Sequence, residues 1–285
     1  MYTTLITADE LRQYQASGQP LMVFDCSIDL GDRSLGQKLF ETTHLSGAVH
    51  ADLDRDLSVH DGGPAASGGR HPLPPREQVA AWLKRIGFDQ RMQAVVYDRN
   101  NSSFCVRLWW MLKWVGHDAV AVLDGGLAAW QAVQGPLASG PAAALPPGDF
   151  ELRPALRELV GVDTVLQRLG HPDQTLIDAR ATPRFRGEVE PLDPVAGHIP
   201  GALNRPFSDN LDAQGRFRPA AELRAAFEQL LAGRPVSSVV HHCGSGVTAL
   251  PNVLAMELAG LGPTALFAGS WSEWCRDPGR PMACG

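Results

Sequence analysis

Basic residues are the minority charge in this chain: 25 lysines and arginines stand against 31 aspartates and glutamates, a formal net charge of −6. That balance supplies no positive field for a nucleic-acid backbone. Long apolar runs are missing too, and nothing approaches the roughly 18 residues of a membrane span. Met1 to Thr7 carries no basic, apolar leader pattern. The expectation is a soluble cytoplasmic protein with no nucleic-acid and no membrane partner. Cysteine is scarce, with five residues at 26, 105, 243, 275 and 284 and no CxxC pair. Neither a disulfide framework nor a zinc knuckle is indicated. The triplet His241-His242-Cys243 does not suit a metal, because neighbouring strand residues point to opposite faces. No metal or cofactor is expected.

What is present centres on Val239-Val240-His241-His242-Cys243-Gly244-Ser245-Gly246-Val247-Thr248-Ala249. A β-branched run feeds a lone cysteine, a loop with two glycines and then an apolar helical pattern (Leu250, Val253, Leu254, Leu258), which reads as strand, tight loop, helix. Glycines 244 and 246 let the backbone curl so that successive N–H groups face inward, and the next helix adds the positive end of its dipole. Gly244, Ser245, Gly246, Val247 and Thr248 are thus expected to cradle a reactive thiolate of Cys243. A buried core cysteine is the competing interpretation, but a core position does not call for such a loop.

The chain of 285 residues suggests two domains, and a repeat supports this. Residues 95–130 align without a gap on 239–274 at an offset of 144 (239 − 95), with Gly116 on Gly260, Gly125 on Gly269 and Trp130 on Trp274. Pro75 falls on Pro219. Upstream the offset becomes 153 to 154, placing Asp25 on Asp178 and His44-Leu45-Ser46-Gly47-Ala48 on His198-Ile199-Pro200-Gly201-Ala202. A Pro-, Gly- and Ala-rich stretch from Gly135 to Gly148 separates the copies, so the expected division is 1–135, a linker over 136–155, and 156–285. Within the second copy, helices are expected over 163–169, 220–231 and 249–259, and strands over 175–178, 237–241 and 264–267. This alternation predicts an α/β fold with mainly parallel sheets covered by helices on both faces. Ligands in such sheets sit beyond the carboxyl ends of the strands, where Cys243 lies.

Arg99 stands where Cys243 stands, so the first copy carries the scaffold without the nucleophile. Asn100 and Asn101 replace glycines that would let a cradle close, so none is expected there. A phosphatase of the phosphocysteine type would need an arginine at Ala249. A cysteine hydrolase would need an imidazole base, and His242 points away along the strand. Sulfur chemistry remains: a thiolate takes up an electrophilic sulfur and hands it to a second nucleophile.

The Cys-Gly-Ser-Gly-Val-Thr loop, Asp178-Ala179-Arg180, Gly197-His198-Ile199-Pro200-Gly201-Ala202 and Gly269-Ser270-Trp271-Ser272-Glu273-Trp274 together resemble the tandem-domain rhodanese family of sulfurtransferases. The resemblance spans nearly the whole chain and implies two rhodanese-like domains, the first inactive, with Cys243 carrying a persulfide. The loop is similar to those of 3-mercaptopyruvate sulfurtransferases, whereas thiosulfate-preferring relatives carry Arg and Lys after the cysteine. The implied activity takes sulfur from 3-mercaptopyruvate, a small-molecule donor, to a thiol, cyanide or thioredoxin-like acceptor; thiosulfate is the alternative donor, and a non-catalytic sulfide-sensing or docking module a more distant one.

Arg184-Phe185 resembles the family's substrate-binding Arg-Phe, and Arg180 is a second candidate, although an arginine beside Asp178 also suits a loop-stapling ion pair. A further family arginine is replaced within Glu190-Pro191-Leu192-Asp193, for which Arg186 is a substitute. The resemblance also implies a relay of Ser245, His71 and Asp54 across the domain interface. His71 equally suits a rim histidine anchoring its Pro-rich loop, and Ser245 a helix cap or a donor to the sulfur. Trp271 and Trp274 are expected in the core or cleft wall, and the other four cysteines have no assigned role.

Overall fold

The structure is a computed structural model and describes residues 1–29 and 31–285. It divides into two compact units, one of Met1–Pro64, Pro74–Leu156 and Ala213–Arg216, the other of Ala65–Leu73, Arg157–Asp212 and Phe217–Gly285.

The first unit runs β1 (Leu5–Ile6), α1 (Ala8–Ala16), β2 (Leu21–Asp25), α2 (Leu35–Thr42), β3 (His44–Leu45), β4 (Val49–His50), α3 (Arg76–Arg85), β5 (Gln93–Tyr97), α4 (Cys105–Trp114), β6 (Val120–Leu123), α5 (Gly126–Ala132) and β7 (Leu137–Ala138). Five strands form a parallel sheet in the order β1-β6-β5-β2-β4. All of β5 is buried, as a strand covered on both faces must be, and its near-continuous apolar sequence follows from that. Thr7 opens α1 with a reciprocal capping box to Glu10, which satisfies two otherwise orphaned N–H groups.

The stretch expected as a linker is tied to this unit instead. Leu137 and Ala138 pair antiparallel with β3, the Gly148 N–H donates to the Lys84 carbonyl at 2.8 Å, and Phe150 packs on Phe88.

The second unit contains α6 (Val162–Gln167), β8 (Thr175–Asp178), α7 (Thr182–Phe185), β9 (Leu203–Asn204), α8 (Ala220–Leu231), β10 (Val239–His242), α9 (Leu250–Leu258), β11 (Ala265–Leu266) and α10 (Ser270–Trp274). Its sheet is parallel in the order β11-β10-β8-β9, so the strand leading to Cys243 is an interior one. The expected strand at 237–241 begins later, at Val239, because a 3-10 turn over Val236–Ser238 precedes it. Val240, Phe267, Trp271 and Trp274 share one buried cluster. Each such side chain contributes about 1.5–3 kcal/mol on leaving water. The segment 65–73 belongs to this unit, against the expected cut at 135, because its backbone is held there: the Arg70 N–H donates to Ser272 Oγ at 3.0 Å. Among the described residues no helix is long and apolar enough to cross a membrane.

Candidate active site

The parallel register sets His242 against Asp178, so β10 and β8 end together and Cys243 emerges beside Ala179. The loop after Cys243 is fixed from the far side by α10. The Cys243 carbonyl accepts from the Trp271 N–H at 3.0 Å and the Gly244 carbonyl from the Ser272 N–H at 2.8 Å. Ser270 Oγ accepts the Cys243 N–H at 3.1 Å and donates to the Phe267 carbonyl at 3.0 Å. Ser270 does this from a left-handed backbone (φ +56°), a conformation costly for a residue with a Cβ. Gly246 is also left-handed (φ +74°), and a Cβ there would run into the Ala268 carbonyl, so only glycine fits. Cys243 itself is 1% exposed.

Ser245 Oγ lies 2.9 Å from His71 Nδ1, which brings together two of the expected relay residues. Helix α9 has no side-chain cap, so the expected capping role of Ser245 is not taken up. Asp54 belongs to the first unit, where its carboxylate meets His60 Nε2 at 2.9 Å and Arg33 Nε at 3.1 Å. Val247 is buried and Thr248 half-buried along the loop.

Three guanidiniums surround the loop, and their roles separate by burial. The Arg180 side chain is 1% exposed; it grips Asp178 through Nη2 at 2.7 Å and Nε at 3.1 Å, donates to the Gly197 carbonyl at 2.7 Å and lies over Trp271 at 5.0 Å. This corrects its candidacy as a substrate contact. With Nη1 on Glu190 at 3.4 Å, its donors are committed to the loop-stapling ion pair. Arg184, 19% exposed, donates to Glu190 at 2.7 Å through Nη2, which also lies 3.4 Å from Asp193. Burial pushes the Glu190 carboxyl up, but the bond and charge of Arg184 together with the Leu192 and Asp193 N–H groups hold it below its ordinary value. Arg186 is exposed and turned to Glu188 at 3.8 Å, so it does not replace the absent family arginine.

The third guanidinium, Arg70, escaped the sequence reading. A Cβ built on Gly244 would lie 3.1 Å from Arg70 Nη2 and 3.5 Å from both terminal nitrogens of Arg184. Arg70 also pairs with Asp193. Its one sequence signal was its place immediately before His71. Ser270 was likewise missed, although the repeat aligns it with Gly126 and so marked an exception at a left-handed position.

Neither ring nitrogen of His242 has a hydrogen-bond partner among the described residues; Nδ1 lies 3.9 Å from Asp178. Burial pushes the His242 imidazole down against the pull of Asp178, and pushes His241 down to about 3. Cys26, Cys105 and Cys275 are raised by burial, which disfavours a thiolate at those positions. Trp271 and Trp274 are fully buried, as expected.

In the first unit the expectation of an open loop fails. Asn101 (φ +55°) and Ser102 (φ +57°) adopt left-handed backbone without glycine. The Asp98 carboxylate accepts the N–H groups of Asn100, Ser102, Phe104 and Cys105 at 2.8 to 2.9 Å. Ligation by four N–H groups offsets the strain. The cradle exists there, closed around an internal anion. At an offset of 144 the corresponding N–H groups in the second unit are those of Gly244, Gly246, Thr248 and Ala249.

Two parallel α/β units, one with a cysteine at the end of its central strand and one with its loop filled by its own carboxylate, define a tandem sulfur-carrier architecture. The rhodanese-like domain family matches residues 7–133 and 161–277, and the chain belongs to that family. A Pseudomonas aeruginosa protein provisionally named 3-mercaptopyruvate sulfurtransferase is 48% identical over 99% of this chain and 98% of its own length. A Mycobacterium tuberculosis protein provisionally named thiosulfate sulfurtransferase is 39% identical over 99% of this chain and 97% of its own. The solved 3-mercaptopyruvate sulfurtransferase from Leishmania major superposes with a TM-score of 0.80 at 30% identity, covering 95% of this chain and 73% of that one.

Proposed function

We propose that the chain is a sulfurtransferase that accepts sulfur from 3-mercaptopyruvate on Cys243. The Cys243 thiolate attacks the donor sulfur, the donor's C–S bond breaks, and the electron pair leaves on carbon as the enolate of pyruvate. The proton from the donor thiol ends on that carbon. A second nucleophile (a small thiol, cyanide or a thioredoxin-like protein) then takes the outer sulfur and restores the thiolate. The N–H groups of Gly244, Gly246, Thr248 and Ala249 stabilise the persulfide anion, as their counterparts stabilise Asp98. A reduced acceptor of this kind fits a cytoplasmic protein.

The observation that carries this choice is the 2.9 Å contact between Ser245 Oγ and His71 Nδ1. Mercaptopyruvate requires a proton to move from sulfur to carbon, and a hydroxyl–imidazole pair beside the nucleophile serves that step. Thiosulfate would release sulfite with no proton transfer, leaving the pair idle. Thiosulfate is nevertheless the second reading, because Arg70 and Arg184 bring cations to Gly244, next to the thiol, where a dianion would use them.

Steady-state kinetics with both donors decide between them. We expect kcat/KM for 3-mercaptopyruvate to exceed that for thiosulfate by at least tenfold, about 1.4 kcal/mol at the transition state. A tenfold preference the other way overturns the assignment of donor. Mass spectrometry after donor treatment should find one added sulfur, on Cys243.

A further inference from the structure

The hydroxyl–imidazole pair is built from segments that meet only in space, since His71 stands 174 positions before Ser245. Both segments are fastened to the same residue of α10. The Ser272 N–H donates to the Gly244 carbonyl at 2.8 Å, one residue before Ser245, and Ser272 Oγ accepts the Arg70 N–H at 3.0 Å, one residue before His71. The Ser272 hydroxyl proton goes to the Gly269 carbonyl at 3.2 Å, which leaves the oxygen free to accept from Arg70. Glu273 completes the seat. Its carboxylate accepts the Gly68 N–H, and a Cβ on Gly68 would run into it. Gly69, at φ +90°, comes so close that a Cβ would lie 2.5 Å from the Gly269 carbonyl oxygen and 2.7 Å from Ser272 Oγ. The segment is also closed on itself, with the Ala66 N–H on the Leu73 carbonyl at 2.7 Å and the Leu73 N–H on Ser67 Oγ at 3.0 Å. Holding residues 68–70 therefore places His71.

The first unit shows what this helix needs for the fold alone. At the offset of 144, Ser272 and Glu273 fall on Ala128 and Ala129 of α5, which buries Trp130 as α10 buries Trp274. Alanine suffices to build the helix, so the hydroxyl and the carboxylate answer another demand. We propose that Ser272 and Glu273 are positioning residues for sulfur transfer, which seat the segment 65–73 so that His71 stands at hydrogen-bond distance from Ser245. Neither touches the reacting atoms. A proton passes between hydroxyl and imidazole only within hydrogen-bond reach, and a misplacement of about 1 Å can cost on the order of a hundredfold in rate. The inference rests on the proton-transfer role of Ser245 and His71.

A double-mutant cycle with His71 tests this in turnover of 3-mercaptopyruvate. Ser272→Ala and Glu273→Ala should each lower kcat about tenfold while KM stays within about twofold. Glu273→Gln, whose amide oxygen still accepts the Gly68 N–H, should recover most of the loss. In a His71→Gln background neither alanine variant should lower kcat further, because nothing remains to be positioned. Additive losses, or an equal fall in the rate at which iodoacetamide alkylates Cys243, overturn the proposal, since α10 would then act on the cysteine loop itself. Nuclear magnetic resonance of the resting protein judges the seat without turnover. Ser245→Ala should shift the His71 ring signals in the parent and shift them far less in Ser272→Ala, where the pair is already parted. An equal shift in both overturns the positioning. A His71→Gln variant that turns over 3-mercaptopyruvate as fast as the parent defeats the proton-transfer reading alone, because the ring signals still judge the seat.

Discussion

At the carboxyl end of β5 the chain places Asp98 and Arg99; at the corresponding end of β10 it places His242 and Cys243. That pair of exchanges separates a loop filled by its own carboxylate from one that holds a cysteine. In the first unit Asp98 fills the ring of N–H groups with its own carboxylate. Arg99 then reaches back to the strand-end aspartate, with Nη2 3.4 Å from Asp25 and Nε 3.2 Å from Ser27 Oγ. In the second unit the aspartate at that place, Asp178, is held instead by Arg180, which aligns with Ser27 at the offset of 153 (180 − 27). Moving the stapling arginine from the loop to the end of β8 frees position 243 for a thiol. A buried carboxylate at a strand end needs a cation from somewhere, and the source of that cation decides whether the loop can react.

A second difference lies beside it. In both units a histidine stacks on a phenylalanine at a centroid distance of 3.9 Å and directs Nδ1 to that residue's carbonyl at 2.8 Å. The first unit closes this pair over four residues, Phe40 to His44, and the second over thirteen, Phe185 to His198. The nine extra residues (13 − 4) include the segment that brings Glu190 and Asp193 to the arginines. On a shared frame, the longer loop of the second unit carries both carboxylates.

The largest expected effect of breaking this comparison is at the nucleophile. Cys243→Ser should reduce sulfur transfer to background, because a hydroxyl is not ionised at neutral pH and cannot carry sulfur. Chemical denaturation should find its stability within about 1 kcal/mol of the parent. Sulfur label recovered on Cys26 or Cys105 of the parent would contradict the assignment.

Asp98→Ala should act in the opposite sense. It strands four inward N–H groups and should cost about 3–5 kcal/mol of stability, even though it lies far in sequence from Cys243. A loss under about 1 kcal/mol would mean that the Asp98 cradle holds little.

Arg99→Cys sharpens the contrast further. The new thiol would stand beside a cradle already occupied by Asp98, so a titration should still find one transferable sulfur per chain. Loss of the Asp25 partner should cost about 1–3 kcal/mol. Two transferable sulfurs would show that the internal carboxylate yields easily.

The smallest effect is a pH dependence. His241 and His242 align with Tyr97 and Asp98, so the second unit buries imidazoles where the first buries groups that gain no positive charge in acid. Burial depresses both imidazoles below 6.5, so between pH 6.5 and the folded values the unfolded chain binds more protons. Their contribution is whole above pH 6.5 and is lost as pH falls below it. We expect about 1 kcal/mol less stability at pH 5.5 than at pH 7, and a shallower slope in His241→Leu. Equal slopes in parent and variant would refute the origin in His241.

The duplicated frame was legible in the sequence because it rests on local periodicity: the helix at 220–231 and the strand at 175–178 appear where the apolar spacing put them. The loop that makes Cys243 the candidate nucleophile was legible because its glycines follow it directly, and the φ of +74° at Gly246 is the conformation such a glycine serves. Arg184 was approached through its neighbour Phe185, whereas Arg70 lies 174 positions before Gly244 (244 − 70) and its one signal, the place before His71, pointed to no anion. Sequence by itself thus determined the fold, the duplication and the place of the candidate thiol within it, all of which depend on residues adjacent in the chain or one repeat apart. Tertiary structure alone decided that Arg180 staples, that Arg70 joins Arg184 above Gly244, and that Asp98 closes its own loop. Each of those outcomes is a competition among several charges for a few partners, and such competition is settled by distances and burial that the order of residues does not contain.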